Sequence, residues 1–331
     1  MFAAILKSGR VLTAALAVSI APLPGAASTL GAGQILHQFN LVVFGDHALN
    51  SQVHGRAFVG GNVAGSGSMT TSNYTLPASD YADVSVGGNA AGNINTRHGA
   101  SVVIGGNNAA NINNAGSVRI GGANSGVINN TPVRTQVSDL NLGIDPFRAT
   151  MTAASQSLSN LAATASITTH GQGVRFDASP VDGPVVYNIT ASQLTGNELD
   201  VRLNGADTVV INVSGSAITL NQNFNTAEVT GANVLWNFFE ATTLNLNNRF
   251  VGSVLAPMAS FTNRNNVHGS VVVNSFVQNG QIHQQAWGGS LPTPPSETPA
   301  PVPLPAAVWL LIGGLGVLFG IRRRRLAGTV D

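Results

Sequence analysis

Cysteine is absent from these 331 residues, and lysine occurs once, at Lys7. The first absence excludes disulfides, thiolate metal sites and thiol catalysis. The second removes Schiff-base chemistry and lysine isopeptide cross-links from the rest of the chain. Charge is scarce throughout, with Asp, Glu, Lys and Arg making up 9% of the residues. Six of the 15 basic residues, Lys7, Arg10 and Arg322 to Arg325, lie in terminal segments. Without them and Asp331, 9 basic and 13 acidic residues remain, and 9 − 13 leaves a net charge of −4. No basic stripe exists to neutralise phosphates, so nucleic acid is not an expected partner. No cofactor motif occurs, and none is expected to bind.

Glycine is abundant instead, with 38 residues, and it is placed periodically. One phrase recurs four times: AFVGGNVAGSGS from Ala57, VSVGGNAAGNIN from Val84, VVIGGNNAANINN from Val102 and VRIGGANSGVINN from Val118. The pairs Gly60/Gly61, Gly87/Gly88, Gly105/Gly106 and Gly121/Gly122 are separated by 27, 18 and 16 residues. Self-similarity at such a period marks a solenoid, in which each unit buries its apolar face against its neighbours. The β-branched run in each copy suits a strand, and the glycine pair suits a sharp corner needing φ > 0. Asn62, Asn89 and Asn107 follow the pairs, and Asn tolerates turns and stacks in ladders. These features predict an all-β-dominated fold, a parallel, right-handed β-helix with coils of about 20 residues. A Gly-rich linker is the alternative, and the β-branched runs argue against it.

The N-terminus reads as a secretory signal peptide over residues 1–28, with Lys7 and Arg10 before the apolar run Val11 to Ile20. A membrane anchor is the alternative there, although the run is short for a span. At the other end a Pro-rich segment, LPTPPSETPAP at 291–301, reads as a semi-rigid linker. It is followed by Val302, Pro303, Leu304, Pro305 and Ala306, an apolar run to Ile321, and the cluster Arg322, Arg323, Arg324 and Arg325. Residues 304–321 would reach roughly 27 Å as a helix, enough for a transmembrane segment whose arginines stay cytoplasmic.

The order of VPLPA motif, short span and arginine cluster resembles the VPLPA variant of the PEP-CTERM sorting signals, over residues 302–326. That resemblance implies recognition by an exosortase, a membrane protease-transpeptidase of Gram-negative bacteria, and cleavage near the motif. It implies transient anchoring in the inner membrane, then display at the cell surface or outer membrane, or release outside. A plain single-pass tail anchor is the alternative. A second resemblance rests on FNLVVFGDHALNSQVHGRAFVGGNV (Phe39 to Val63), VLWNFFEATTLNLNNRFVGSVLAPMASF (Val234 to Phe261) and VHGSVVVNSFVQNGQIHQQAW (Val267 to Trp287). These segments resemble the two ends of the choice-of-anchor A domain, a bacterial surface module. The family implies an adhesive β-helical domain, here at 29–290, without an established enzymatic activity.

Between those ends, Phe147, Met151, Ala154, Leu158 and Leu161 recur with helical spacing after Asp145-Pro146, predicting an amphipathic helix over 146–165. One helix among coils should lie along the solenoid or cover its end. Strand runs are expected at 185–189, 199–203, 209–213, 217–220, 227–230, 234–238, 243–246, 250–256 and 270–273. Trp236 belongs with the apolar residues around it, and Trp287 reads as closing the last coil.

Chemical sites are thin. Asp80 and Asp83 could act as paired carboxylates, but the remaining acids are scattered and no base stands beside them. His47 and His54 are seven residues apart, and His98, His170, His268 and His283 stand alone, so all read as surface or turn residues. Asp46, with Asn50 nearby, reads as a turn residue rather than a Ca²⁺ ligand. The leading expectation is a non-enzymatic surface protein that contacts extracellular polysaccharide or matrix through many weak contacts. An ice- or regular-surface-binding solenoid is a second reading, for which Thr-x-Thr or Ala-x-Thr should repeat in every coil. Thr70-Thr71, Thr168-Thr169 and Thr242-Thr243 show no such register. A polysaccharide-degrading enzyme is the third reading.

Overall fold

The computed structural model describes residues 30–70, 75–96, 99–129 and 131–292. The expected signal peptide, the end of the Pro-rich linker, the VPLPA motif and the arginine cluster lie outside them. Among the described residues no helix is long and apolar enough to cross a membrane.

Short parallel strands stack in register into three faces. On the first, Leu41–Val43, Ala57–Val59, Val84–Val86, Ser101–Ile104, Ser117–Ile120 and Val133–Arg134 follow one another. Alternation along each strand decides what is buried. Leu41, Val43, Val59, Val86, Val102 and Ile120 point into one continuous core, and Val42 and Phe58 point outward into a second cluster. The third face stacks Gln52–His54, Ser68–Thr70, Asn93–Asn95 and Asn111–Asn113, with Val53, Met69, Ile94 and Ile112 inward.

The stack does not follow chain order. Leu41–Val43, the first strand, pairs with Ala57–Val59 on one side and with Val271–Val273 on the other. The first coil therefore lies in the middle of the solenoid. From it, the repeats run outward to Val133–Arg134. The rest of the chain starts from the opposite end and stacks Val185–Thr190, Val209–Ser214, Val234–Asn237, Ser253–Asn263 and Val271–Gln278 back toward the first coil.

Two helices cover the outside of the first face. α1 is Ala32–Gln38, and α2 is Asp145–Ser159 with Pro146 in its first turn. Phe147, Met151 and Leu158 of α2 pack with Val42, Phe58, Val210, Leu235, Leu255 and Val272. Burial of each large side chain of this kind contributes about 1.5–3 kcal/mol. Of the two placements expected for this helix, the structure shows the one along the solenoid. α2 stops at Ser159, short of the expected residue 165, because the chain turns to strand pairing: Thr164 N donates to Val186 O and Val186 N donates to Thr164 Oγ1, both at 2.9 Å.

Two strand expectations are corrected. Of the expected run 227–230, Ala227 is extended and the rest lies in a 3-10 helix, Glu228–Asn233, where Gly231 sits so close to His268 O that a Cβ would be 2.5 Å away. The run 250–256 is split into Phe250–Val251 and Ser253–Asn263 at Gly252, whose φ of +122° turns the corner between faces. Trp236 is fully buried beside that corner and donates Nε1–H to Val251 O at 3.1 Å. Trp287 is buried outside the coils, with the α1–α2 cluster.

Candidate functional site

The glycine pairs build a corner whose chemistry is unlike the expected one. None of the eight glycines has a positive φ. They are required by close approach. A Cβ on Gly87 would lie 2.2 Å from Gly60 O, one on Gly105 2.2 Å from Gly87 O, and one on Gly121 2.2 Å from Gly105 O. The second glycine of each pair makes room for a side-chain ladder. Asp46 Oδ1 accepts from Asn62 N at 2.7 Å, Asn62 Oδ1 from Asn89 N at 2.9 Å, Asn89 Oδ1 from Asn107 N at 2.8 Å, and Asn107 Oδ1 from Ala123 N at 2.9 Å. A Cβ on Gly61, Gly88, Gly106 or Gly122 would collide with the carboxylate or amide oxygen of that ladder. Asp46, read as a turn residue, is the ladder's first member.

This ladder forms one border of the second face. There His47–Leu49 pairs with Val63–Ala64 and with Phe276–Gln278, and the stack continues through Ser260–Asn263 and Thr243–Leu246 to Ala217–Leu220. On the other side, Val63 bridges to Ala90, Ala90 to Asn108 and Asn108 to Asn124. Every second residue points out, which produces two columns. One contains Ala217, Thr243, Ser260, Ser275, Asp46, Asn62, Asn89, Asn107 and Ala123. The other contains Thr219, Asn245, Thr262, Val277, Ala48, Ala64, Ala91, Ala109 and Ser125. All are exposed or half-buried. Asp46 is the single charged residue among them, and none of them is aromatic.

Geometry follows from the strands. Neighbouring coils are about 4.8 Å apart and alternate residues along a strand about 6.7 Å, so the columns define a rigid grid. Small side chains keep it flat, and Asn245 Nδ2 donates to Thr219 Oγ1 at 3.3 Å along a column. Threonine spacing alone does not reveal this register. The signal was present as small-x-small at Ala217-Ile-Thr219, Thr243-Leu-Asn245, Ser260-Phe-Thr262 and Ser275-Phe-Val277, at steps of 26, 17 and 15 residues. Ala, Ser and Asn share these positions with threonine.

The acidic candidates have structural partners. Asp83 pairs with Arg56 at 3.0 Å and accepts from Ser101 N at 2.8 Å, and Asp80 lies exposed without joining it in a paired site. Asp200 is buried between Arg175 and Arg202, at 2.9 and 3.0 Å. Among the described residues no group of three or more His, Asp or Glu is placed to hold a metal ion. The histidines depart most from expectation. His47 is fully buried, and His268 and His283, read as isolated, stack with ring centroids 4.4 Å apart. A groove of about 590 Å³ between α1, α2 and Leu291 is lined mainly by Ala, Gly and Leu.

The family described as "Putative Ice-binding-like adhesive domain" matches residues 32–284. The chain belongs to that family. Its match begins at the first residue of α1 and ends one residue past the last strand, Ile282–His283, so this adhesive domain takes in the whole solenoid. Two solved structures are similar to the chain. One is an ice-binding protein from an Antarctic biological consortium, 12% identical, covering 80% of this chain and 95% of that one with a TM-score of 0.32. The other is an ice-binding protein from the Antarctic ascomycete Antarctomyces psychrotrophicus, 11% identical, covering 75% and 95% with a TM-score of 0.31. No curated protein matches.

Proposed function

We propose that this is an exported, surface-displayed, non-enzymatic adhesive domain whose two-column face docks onto a regularly repeating polar surface, an extracellular polysaccharide. The observation that carries the reading is the in-register array of Thr, Ser, Asn and Ala on the second face. A rigid grid loses little conformational entropy on docking, so weak hydrogen bonds and van der Waals contacts add along its length. Low charge suits a neutral sugar polymer better than a charged one.

The terminal segments complete the proposal. The choice-of-anchor A resemblance and the VPLPA-type signal, with Val302 to Ala306 as its motif and Arg322 to Arg325 as its stop-transfer cluster, support a domain carried on a Pro-rich stalk and processed by an exosortase-like protease. Intact mass of the protein from each cell fraction tests this: a chain ending near Ala306 outside the inner membrane supports sorting, and one retaining Arg325 in the inner membrane overturns it.

The face is tested by Thr243→Tyr with Ser260→Tyr. Both side chains are exposed, so the rings stand on the grid without entering the core. Co-sedimentation with insoluble matrix polysaccharide should weaken by roughly tenfold or more while the thermal transition stays in place. Equal retention of wild type and variant removes the face from the function. A second reading, ice or another crystalline surface, is favoured by the uninterrupted small-residue column from Ala48 through Ala64, Ala91 and Ala109. Thermal hysteresis in wild type, lost in the same variant, would select it over polysaccharide.

A further inference from the structure

The two halves of the solenoid close on each other where the first coil meets the last, and five of the six histidines among the described residues lie at that junction. His37 of α1 holds Nδ1 2.8 Å from Trp287 O. His47 lies inside the core, stacked on Phe276 at 5.0 Å with the rings 3° from parallel, and Phe276 in turn stacks on Phe261 at 4.7 Å. On the third face, His268, His283 and His54 point outward from three successive strands, Val267–His268, Ile282–His283 and Gln52–His54. His268 and His283 are stacked at 4.4 Å and 2°, and His54 meets the edge of His283 at 5.4 Å. Asn40 spans the joint beneath them, donating Nδ2–H to His54 O at 2.8 Å and to His283 O at 2.9 Å.

His47 and His283 each hold a buried nitrogen without a partner, while His54 Nε2 lies 3.2 Å from Gln52 Oε1. Gln278 donates its amide to Gln52 O and Gly280 O, which turns Oε1 toward His47 Nε2 at 3.0 Å and makes that nitrogen the protonated one. His47 Nδ1 is then bare, buried and without a partner, and His283 Nε2 is also buried without a partner. Two stacked rings 4.4 Å apart repel when both are charged. Glu228 faces the row, with Oε1 3.4 Å from His268 Nε2, and Arg249 already pairs with that same oxygen at 3.1 Å. Asp46 turns outward to Asn62, and Arg56 turns to Gln38 O, Pro77 O and Asp83.

We infer that the junction is a proton-operated joint, in which acid charges His47 and the His54–His283–His268 row and opens the contact between the first coil (41–54) and the last (271–283) while outlying coils stay folded. The joint crosses the two-column face between Val277 and Ala48, so opening divides that face in two.

The direction of the effect follows from burial. Burial pushes His47 down from 6.5 to about 4. Burial first, then repulsion from His283, lowers His54 and His268, and burial lowers His283. Between the folded and exposed values, the open state binds more protons. The closed joint is therefore fully favoured above pH 6.5, weakens as pH falls, and for His47 stops weakening below about 4. The drop for His47 alone, from 6.5 to about 4, shifts the closed-to-open ratio on the order of a hundredfold across that window.

Amide hydrogen exchange on the full chain in detergent, corrected for intrinsic rates, tests the joint at about pH 7 and about pH 4.5. Protection at 41–54 and 271–283 should fall about a hundredfold while protection at 101–104 and 117–120 is retained. A uniform fall, or none, overturns the proposal. His54→Gln with His283→Gln, and separately His47→Phe, remove titration at the partly exposed row and in the core. Each should reduce the acid-induced loss by roughly tenfold or more. An undiminished loss in the variants that fold assigns the effect to carboxylates and also overturns it. If both variants fail to fold, the wild-type exchange pattern still decides.

Discussion

Ser155 on α2 and Asn237 on the solenoid are locked in a reciprocal pair. Ser155 Oγ donates to Asn237 Oδ1 at 2.6 Å, and Asn237 Nδ2 donates to the Ser155 carbonyl at 2.9 Å. The same Nδ2 group reaches Asn212 Oδ1 at 2.8 Å, and Asn212 Nδ2 reaches Asn188 Oδ1 at 2.8 Å and Leu158 O at 2.7 Å. A ladder of three asparagines thus fastens the last turns of α2 to three successive coils. At the other end of the helix, Arg148 donates to Asn274 Oδ1 at 2.9 Å and Phe44 O at 3.2 Å.

Because both groups of the pair are buried, truncating either leaves the other unsatisfied. Ser155→Ala should lower stability by about 1–2 kcal/mol and Asn237→Ala by about 3 kcal/mol, since the latter strands several partners at once. Guanidinium denaturation measures both. Losses below about 0.5 kcal/mol in each would mean that α2 is held by apolar packing alone.

Two glycine substitutions should act in opposite directions. Gly105→Ala places a Cβ 2.2 Å from the Gly87 carbonyl oxygen, a backbone atom that does not yield easily. A loss of about 2 kcal/mol or more is expected. Gly33 lies within α1, and a methyl group added there would meet nothing within 4 Å. Gly33→Ala should raise stability by about 0.5–1 kcal/mol through helix propensity and unfolded-chain entropy. Thermal unfolding of the two variants distinguishes crowding from conformational freedom.

Asp200 separates a costly truncation from a cheap one. Its carboxylate is 7% exposed and shared by Arg175, 12% exposed, and Arg202, 49% exposed. Asp200→Ala should cost about 3 kcal/mol because Arg175 keeps a buried, uncompensated charge. Arg202→Ala removes a solvated partner and should change stability by less than about 0.5 kcal/mol. Chemical denaturation of both variants makes the comparison, and equal effects would contradict the burial asymmetry.

Local chemistry made much of this protein legible. The β-branched runs before each glycine pair marked strands, and the pairs marked corners, because both depend on a few adjacent residues. Phe147, Met151 and Leu158 marked the buried side of α2 by spacing alone. Alternation also says which residues leave each strand outward. It does not say which strands are neighbours. Only the tertiary structure set Leu41–Val43 between Ala57–Val59 and Val271–Val273, and every long-range feature depends on that placement. His268, His283 and His54 read as unrelated because their approach requires the last coil to return beside the first. The two-column face is hidden for the same reason: Ser275 and Asp46 share a column only once the halves have closed. Adjacent residues were enough to mark the strands, their corners and the buried side of the long helix. The fold decided what they stand beside, because stacking order is a contact between residues far apart in the chain and leaves no local trace.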